Sequence, residues 1–170
     1  THNKAMEIVD ILTLNATEDE LGYVYEIMLN MTPKNDKTGE HYTPYSLAVA
    51  LKVMVSHNNT VTSVYGPPCG SGRLLAPFLK EPHIEFFGQE LNRTTYNLAR
   101  MNMILHNVRY TNFDIKQDDT LERPQHLHKK FDAIVANPPF SANWSANSAI
   151  FNTDDRFAQY GTLAPKTKAD

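Results

Sequence analysis

Residues 60–75, "TVTSVYGPPCGSGRLL", decide the fold. Val61, Val64 and Tyr65 among small polar residues make Thr60–Gly66 a β-strand, and the run from Ser71, "SGRLLAPFLK", reads as a helix that Pro77 shortens or kinks. Between the two, Gly70 and Gly72 form a turn at which backbone can come close to a ligand. A strand, a glycine turn and a helix in that order open a βαβ unit. Two common phosphate-binding versions of this turn are weakened residue by residue. Leu75 stands where the dinucleotide fingerprint needs its third glycine, and "GSGRLL" lacks the Gly-Lys-Ser/Thr of a P-loop. Two readings stay open: a purely structural turn, or a nucleoside ligand that carries a carboxylate facing the N–H groups of a helix start.

Downstream the alternation continues. "HIEFFGQEL" (His83–Leu91) is a second strand, and "NRTTYNLARMNMILHN" is a helix capped by Asn92 with Tyr96, Ala99, Met103 and Ile104 facing inward. "YTNFDIKQDD" gives a third strand and "FDAIVANPP" a fourth. Strands alternating with helices predict an α/β fold, a doubly wound and mostly parallel sheet whose ligands lie outside the carboxyl ends of the strands. Upstream, residues 1–31 read as helical, with a Thr17–Glu20 capping box and Leu21, Val24, Tyr25, Met28 and Leu29 at helical spacing. After a polar loop, "PKNDKTG", a second helix is expected with Thr43 as N-cap, Pro44 at its first position, and Leu47, Ala50, Leu51, Met54 and Val55 as its buried stripe. The organisation is then an N-terminal helical segment over 1–58, a ligand-binding core over 59–145 and a polar, loop-like tail over 146–170. Four strands make a small sheet for this architecture, so the chain reads as a fragment whose remaining strands lie past Asp170.

Hydrophobic residues at 41% and charged residues at 21% are ordinary for a soluble domain, and no apolar run approaches the ~20 residues of a membrane span. The start, "THNKAMEIVDIL", lacks the basic region and cleavage site of a signal peptide. Cys69 is the sole cysteine, which rules out an internal disulfide and fits a reducing cytoplasm. A net charge of −3 offers no basic field for nucleic acid, so any phosphate affinity must come from a local patch or a partner. His41, His57, His83, His106, His126 and His128 lack metal-ligand spacing and read as surface or capping residues, and no metal is expected. Neither a Gly-x-Ser-x-Gly elbow nor a His partner for Cys69 is apparent, which argues against covalent hydrolase chemistry.

Polar residues at the expected strand ends carry the chemistry. Glu90 follows the glycine turn by about 20 residues, where a carboxylate can accept from two ribose hydroxyls. Asp118 and Asp119 end the third strand, where an acid can accept from an adenine amino group; "DTL" starts a new element and favours Asp119. Most specific is "NPPF" (Asn137–Phe140) at the end of the fourth strand. A base's exocyclic amine is a poor nucleophile because its lone pair is delocalised into the ring. Two acceptors aimed at its N–H bonds pull the nitrogen toward tetrahedral geometry. The Asn137 side-chain oxygen is one such acceptor and the Pro138 carbonyl a second, while Pro138 and Pro139 remove competing donors. Phe140 can stack on a base rotated out of its duplex.

In order and spacing, "GEHYTP", "VYGPPCGSG", "FFGQEL", "DDTL" and "FDAIVANPPF" resemble N6-adenine DNA methyltransferases, above all the modification subunit of type I restriction-modification systems. "GYVYEIML" and the tail "DDRFAQYGTLAPKTKAD" extend the resemblance over nearly the whole chain. It implies a Rossmann-like fold, S-adenosylmethionine as cofactor, DNA as substrate, and a specificity subunit and a motor-nuclease subunit as partners. By position it implies Tyr42, Thr43 and Pro44 closing over the methionine end of the cofactor. Gly66, Pro67, Gly70, Ser71 and Gly72 face that cofactor, Glu90 its ribose and Asp119 its adenine, with Asn137, Pro138, Pro139 and Phe140 as the catalytic loop. One residue departs from the pattern: an acidic residue usually precedes the first proline of the glycine turn, and Gly66 stands there. Methyltransferases acting on an RNA guanine or a protein glutamine amide also use Asn-Pro-Pro-aromatic loops, but usually without an "HYTP" element before the glycine turn. A non-catalytic, cofactor-sensing subunit is the reading from outside enzymology.

Overall fold

The computed structural model describes residues 22, 24, 25, 27–29, 43–57, 60–139, 143–145, 148–160 and 163. The Thr17–Glu20 capping box, the loop before the second helix, Tyr42 and Phe140 lie outside them. The described residues form two compact units, one up to Asn137 and the other from Pro138 on.

In the first unit, β1 (Ser63–Gly66), β2 (Glu85–Glu90), β3 (Phe113–Gln117) and β4 (Ala133–Ile134) make one sheet in the order β3-β2-β1-β4. Every pairing is parallel, as the strand-helix alternation predicts. Register explains the two faces. Val64 pairs with Phe86 and Ala133, and these residues join Leu75, Phe78, Ala99, Met103 and Ile115 in a single core. One residue on, Tyr65 pairs with Phe87, and their rings turn to the opposite face, as the period of two requires. There Phe131 stacks on Tyr65 at 4.6 Å and lies 5.2 Å from Phe87.

His126 fills the edge of this aromatic group, 5.5 Å from Tyr65 and 5.6 Å from Phe87. Its Nε2 bonds the Gly88 carbonyl at 3.2 Å, and burial pushes its imidazole below the ordinary value. The expectation of a surface or capping histidine is therefore wrong for His126, which is a packed and hydrogen-bonded core residue.

Helix α1 (Tyr45–Ser56) begins one residue later than expected. Pro44 is extended at ψ 137° and serves as N-cap, its carbonyl taking the Leu47 and Ala48 N–H groups, and Thr43 caps nothing. The stripe is also rotated. Ala48 is buried and Leu51 and Val55 are partly buried against the core, whereas Leu47, Ala50 and Met54 are exposed. This helix is apolar nearly all round, so spacing alone could not select its inner face. Helix α2 (Arg93–Leu105) is capped as predicted, the Asn92 side chain accepting from Thr94 and Thr95 N–H at 2.8 and 3.1 Å. Ala99 and Met103 are buried as expected; Tyr96 is half-buried, Ile104 is exposed, and Thr95 and Asn102 take the remaining inner positions. The helical residues 22, 24, 25 and 27–29 meet α2 through a Tyr25 hydroxyl bond to the Leu98 carbonyl at 2.8 Å.

No α-helix follows the glycine turn. Residues 71–79 are buried throughout and proceed by turns into a 3₁₀ element, Ala76–Phe78. Pro77 lacks the N–H an α-helix would need there, and tighter bonds such as Phe78 N–H to Leu75 at 2.9 Å replace the α pattern.

The second unit is less loop-like than its composition suggests. A short helix α3 (Ser148–Phe151) carries the fully buried Phe151, which packs against Trp144 at 5.1 Å and Phe157 at 4.8 Å. The Arg156 guanidinium clamps Asp154 and holds its carboxyl below the usual range.

Candidate active site

Strand order reverses direction at β1, whose neighbours are β2 and β4, and the chain runs to β2 on one side and returns to β4 on the other. A crevice opens at the carboxyl ends of such a switch point. The Val135 N–H donates to the Tyr65 carbonyl at 2.9 Å, which keeps β1 and β4 level up to their ends. The glycine turn after β1 and Asn137 after β4 thus leave the sheet side by side.

Two glycines make the turn possible. Gly66 and Gly88 pair in register, so the end of the core face carries no side chain on either strand. Cys69 folds back into that space, its N–H bonded to the Gln89 carbonyl at 2.9 Å. A Cβ at Gly88 would stand 3.1 Å from the Cys69 Cβ and 2.8 Å from Ile115. Burial first, and the Glu90 carboxylate second, push the Cys69 thiol far above its ordinary value, so it stays protonated and is no nucleophile.

Gly70 (φ +56°) and Gly72 (φ +83°) both occupy the left-handed region. Their surroundings differ. A Cβ at Gly70 would meet nothing within 4 Å, so its backbone borders open space, whereas one at Gly72 would stand 3.2 Å from Met103 on α2. The buried Asn102 amide donates to the Ser71 carbonyl at 3.2 Å and ties the turn to α2.

Glu90, at the end of β2, accepts from Gly70 N–H on Oε2 at 3.1 Å and from Asn92 N–H on Oε1 at 2.8 Å. One carboxylate therefore joins the glycine turn to the start of α2. Past β3, Asp119 accepts from Leu121 and Glu122 N–H through Oδ1. Asp118 is occupied differently, by Arg123 Nε at 2.6 Å and Gln125 at 2.9 Å, so of the pair it is Asp119 whose Oδ2 takes no side-chain donor among the described residues.

Asn137 is half-buried, and its Nδ2 donates to the Thr43 hydroxyl at 3.0 Å. Thr43, Gly66, Pro67, Gly70, Ser71, Gly72, Glu90, Asp119 and Asn137 all belong to the first unit. Pro138 and Pro139 are exposed and open the second unit. Sequence reading missed Asn102 and Gln89. Gln89 is fully buried, donating to the Arg123 carbonyl and accepting from Gln125 N–H, and it holds the loop after β3. A polar residue on an inward stripe was the available signal for Asn102. A cavity of about 650 Å³ lies at the other end of the strands, lined by Lys80, Ile84, Phe86, His106, Arg109 and Asn112 among others, and it includes none of the predicted site residues. Among the described residues no group of His, Cys, Asp and Glu is arranged to hold a metal, and no helix is long and apolar enough to cross a membrane.

This parallel sheet, with its polar residues gathered at one end, is the Rossmann-like fold of methyltransferases. A putative class I S-adenosylmethionine-dependent methyltransferase from Listeria monocytogenes shares the fold at 14% identity, with a TM-score of 0.65 over 91% of this chain and 48% of that one. The chain belongs to the N-6 DNA methylase family, which it matches over residues 16–170. It is 38% identical to the type I restriction enzyme MpnII methylase subunit of Mycoplasma pneumoniae, over 95% of this chain and 34% of that protein. The HindI methylase subunit of Haemophilus influenzae is 33% identical over 90% of this chain and 35% of its own length. The methyltransferase subunit of a type I restriction-modification system from Streptococcus thermophilus has 40% identity and a TM-score of 0.70, over 76% of this chain and 29% of that one. The chain thus spans about a third of the length of these relatives. Membership of this family bears out the resemblance read from the motifs and does not favour RNA guanine or protein glutamine as substrates.

Proposed function

We propose that this chain is the cofactor-binding and catalytic core of a type I modification subunit that transfers a methyl group from S-adenosylmethionine to the N6 amine of adenine in DNA. The observation that carries the reading is the placement of Asn137 at the end of β4, level with the glycine turn and Glu90 across the switch point. The residues present fit the cofactor. Gly70 offers backbone without a side chain toward open space, and the Glu90 carboxylate, held at the end of β2 by two backbone N–H groups, is the acceptor for the ribose hydroxyls in this reading. Asp119 has an acceptor for an adenine amine, and Gly66, Pro67, Ser71 and Gly72 shape the turn. When bound, the sulfonium supplies an electrophilic methyl group.

The protein's task is to prepare the attacking nitrogen. With Nδ2 committed to Thr43, the Asn137 amide presents its oxygen as the acceptor. The neighbouring Pro138 carbonyl supplies the second acceptor, Pro139 keeps the turn free of donors, and Phe140 stacks on the flipped base. Two acceptors on one amine localise its lone pair, and the alkylated nitrogen sheds its proton readily, so no strongly shifted base is needed. Tyr42 and Pro44 complete the closing element around Thr43 in this reading. Partners follow from the same assignment: a specificity subunit to choose the DNA site and a motor-nuclease subunit for cleavage, working in the cytoplasm.

The test uses the full-length parent purified with its specificity partner. It methylates adenine in duplex DNA, and Asn137→Ala abolishes transfer of a labelled methyl group. Activity retained by that variant removes the mechanism.

A further inference from the structure

We propose that the cavity at the amino ends of β2 and β3 is a docking site for a protein segment that pairs an acidic side chain with an apolar one, carried by a partner that methyl transfer does not need. In the assembly proposed above that partner is the motor-nuclease subunit, so the occupant rests on that reading.

The cavity, about 650 Å³, lies between two turns that lead into neighbouring strands, residues 79–84 ahead of β2 and 106–112 ahead of β3. Both turns are closed by backbone bonds. Ile84 N–H reaches the Glu81 carbonyl at 3.1 Å, Val108 N–H the Met103 carbonyl at 3.0 Å, and Asn112 N–H the Arg109 carbonyl at 2.8 Å. The walls are therefore preformed, and little ordering cost attends the entry of a ligand. Ile84 and Phe86 from the core, with half-buried Val108, give the cavity an apolar lining.

Charge points to the occupant. Lys80 stands exposed on one wall and Arg109 on the other, and neither has an ion-pair partner among the described residues. Glu81, the one acid among the described lining residues, is already paired with Lys52 at 3.0 Å. Two unmatched cations beside an apolar lining, on a chain whose net charge is −3, complement an acidic side chain next to an apolar anchor. Tyr110, adjoining Arg109, is 75% exposed with its ring edge-on to Phe113 at 5.7 Å. Tyrosine and arginine are the residue types that carry binding energy at protein interfaces.

Position decides between partners. β2 runs six residues from this cavity to Glu90, roughly 20 Å of extended chain. In the proposed reading the duplex, and the subunit that selects its sequence, meet the far end, where Asn137 and the glycine turn lie. A partner seated at the cavity leaves that end open, which suits a subunit needed for cleavage alone.

The experiment measures binding of the motor-nuclease subunit to the full-length modification subunit assembled with its specificity partner, by sedimentation velocity at about 0.05 and about 0.3 M salt. Lys80→Glu combined with Arg109→Glu is expected to weaken association more than about tenfold at the lower salt, because like charges then face the acidic segment. Methyl transfer and the Kd for S-adenosylmethionine stay within about twofold, and the higher salt removes most of the difference from the parent. Should this variant melt early, Lys80→Ala with Arg109→Ala takes its place and weakens association about threefold or more. Lys129→Glu with Lys130→Glu makes the same change of net charge away from the cavity and leaves association as in the parent. Unchanged association, an equal loss in the Lys129 and Lys130 control, or a parent that does not bind the motor-nuclease subunit overturns the docking site. Loss of DNA binding, of the specificity subunit or of self-association, with motor-nuclease affinity intact, also overturns it by giving the cations another occupant. A parent assembly that binds the motor-nuclease subunit but methylates no adenine removes the functional reading instead.

Discussion

Gly66 and Gly88 lie side by side on the core face, and their shared lack of a side chain is what admits Cys69. An acidic residue at position 66 is what the resemblance leads one to expect. A Cβ at Gly66 would stand 3.2 Å from the Cys69 Cβ and 3.4 Å from its Cα, so the turn must yield by a few tenths of an ångström. Two effects then separate. In Gly66→Asp, the carboxylate that the resemblance pairs with the methionine amine is expected to tighten S-adenosylmethionine binding about tenfold by calorimetry. The crowded turn lowers the melting temperature of the ligand-free protein. Unchanged affinity would mean that the glycine costs the site nothing. Residues at strand ends, such as Glu90 and Asn137, were legible in the sequence because a polar side chain following an apolar run has few structural uses. The Thr43–Asn137 bond and the burial of His126 were not legible, because each depends on segments brought together only by the folded chain.

Among the elements, β4 is the one most in need of support: two residues of ladder at the sheet edge. Asp132, just before it, supplies that support. Its Oδ2 accepts from the Thr62 hydroxyl at 2.7 Å, Thr62 N–H at 2.9 Å, Ser63 N–H at 3.0 Å and the Ser63 hydroxyl at 3.1 Å, fastening the start of β4 to the start of β1. The Thr62 hydroxyl foremost, with the adjoining N–H groups, draws its carboxyl from 3.8 down to about 2. A folded-state value below the unfolded one means that stability is complete above the unfolded value and drains away as pH falls toward the folded one. Asp132→Ala is therefore less stable than the parent above about pH 4, and the gap closes toward pH 2 in denaturant titrations. A gap that persists at pH 2 would assign the loss to packing instead. Strand and helix order was legible from alternation and caps. The buried segment 71–79 was misread as a helix because side chains covered on every side leave no periodicity, and Pro77 then decided its form.

Across the whole chain, 16 basic residues against 19 acidic ones leave a charge of −3. Non-specific DNA affinity rises with the number of phosphates that lysines and arginines neutralise, and it weakens steeply with salt. In the proposed reading, a core with this balance contributes catalytic geometry and little counterion release. The site's own architecture agrees, since the residues gathered at the strand ends are acceptors and backbone: Glu90, Asp119, Asn137 and the glycine turn. Such a surface suits a neutral base and a cofactor with a sulfonium charge better than a polyanion, and in the proposed reading the duplex is gripped elsewhere in the assembly. The full-length subunit without its specificity partner is accordingly expected to retain little duplex DNA at about 0.15 M salt. Addition of the partner restores binding, with a steep log–log salt dependence that alanine substitution of this chain's exposed lysines, such as Lys129 and Lys130, changes by less than about one unit. Tight, salt-sensitive retention by the subunit alone, or a large change of slope from those substitutions, would place the phosphate grip on this chain and contradict the division of labour.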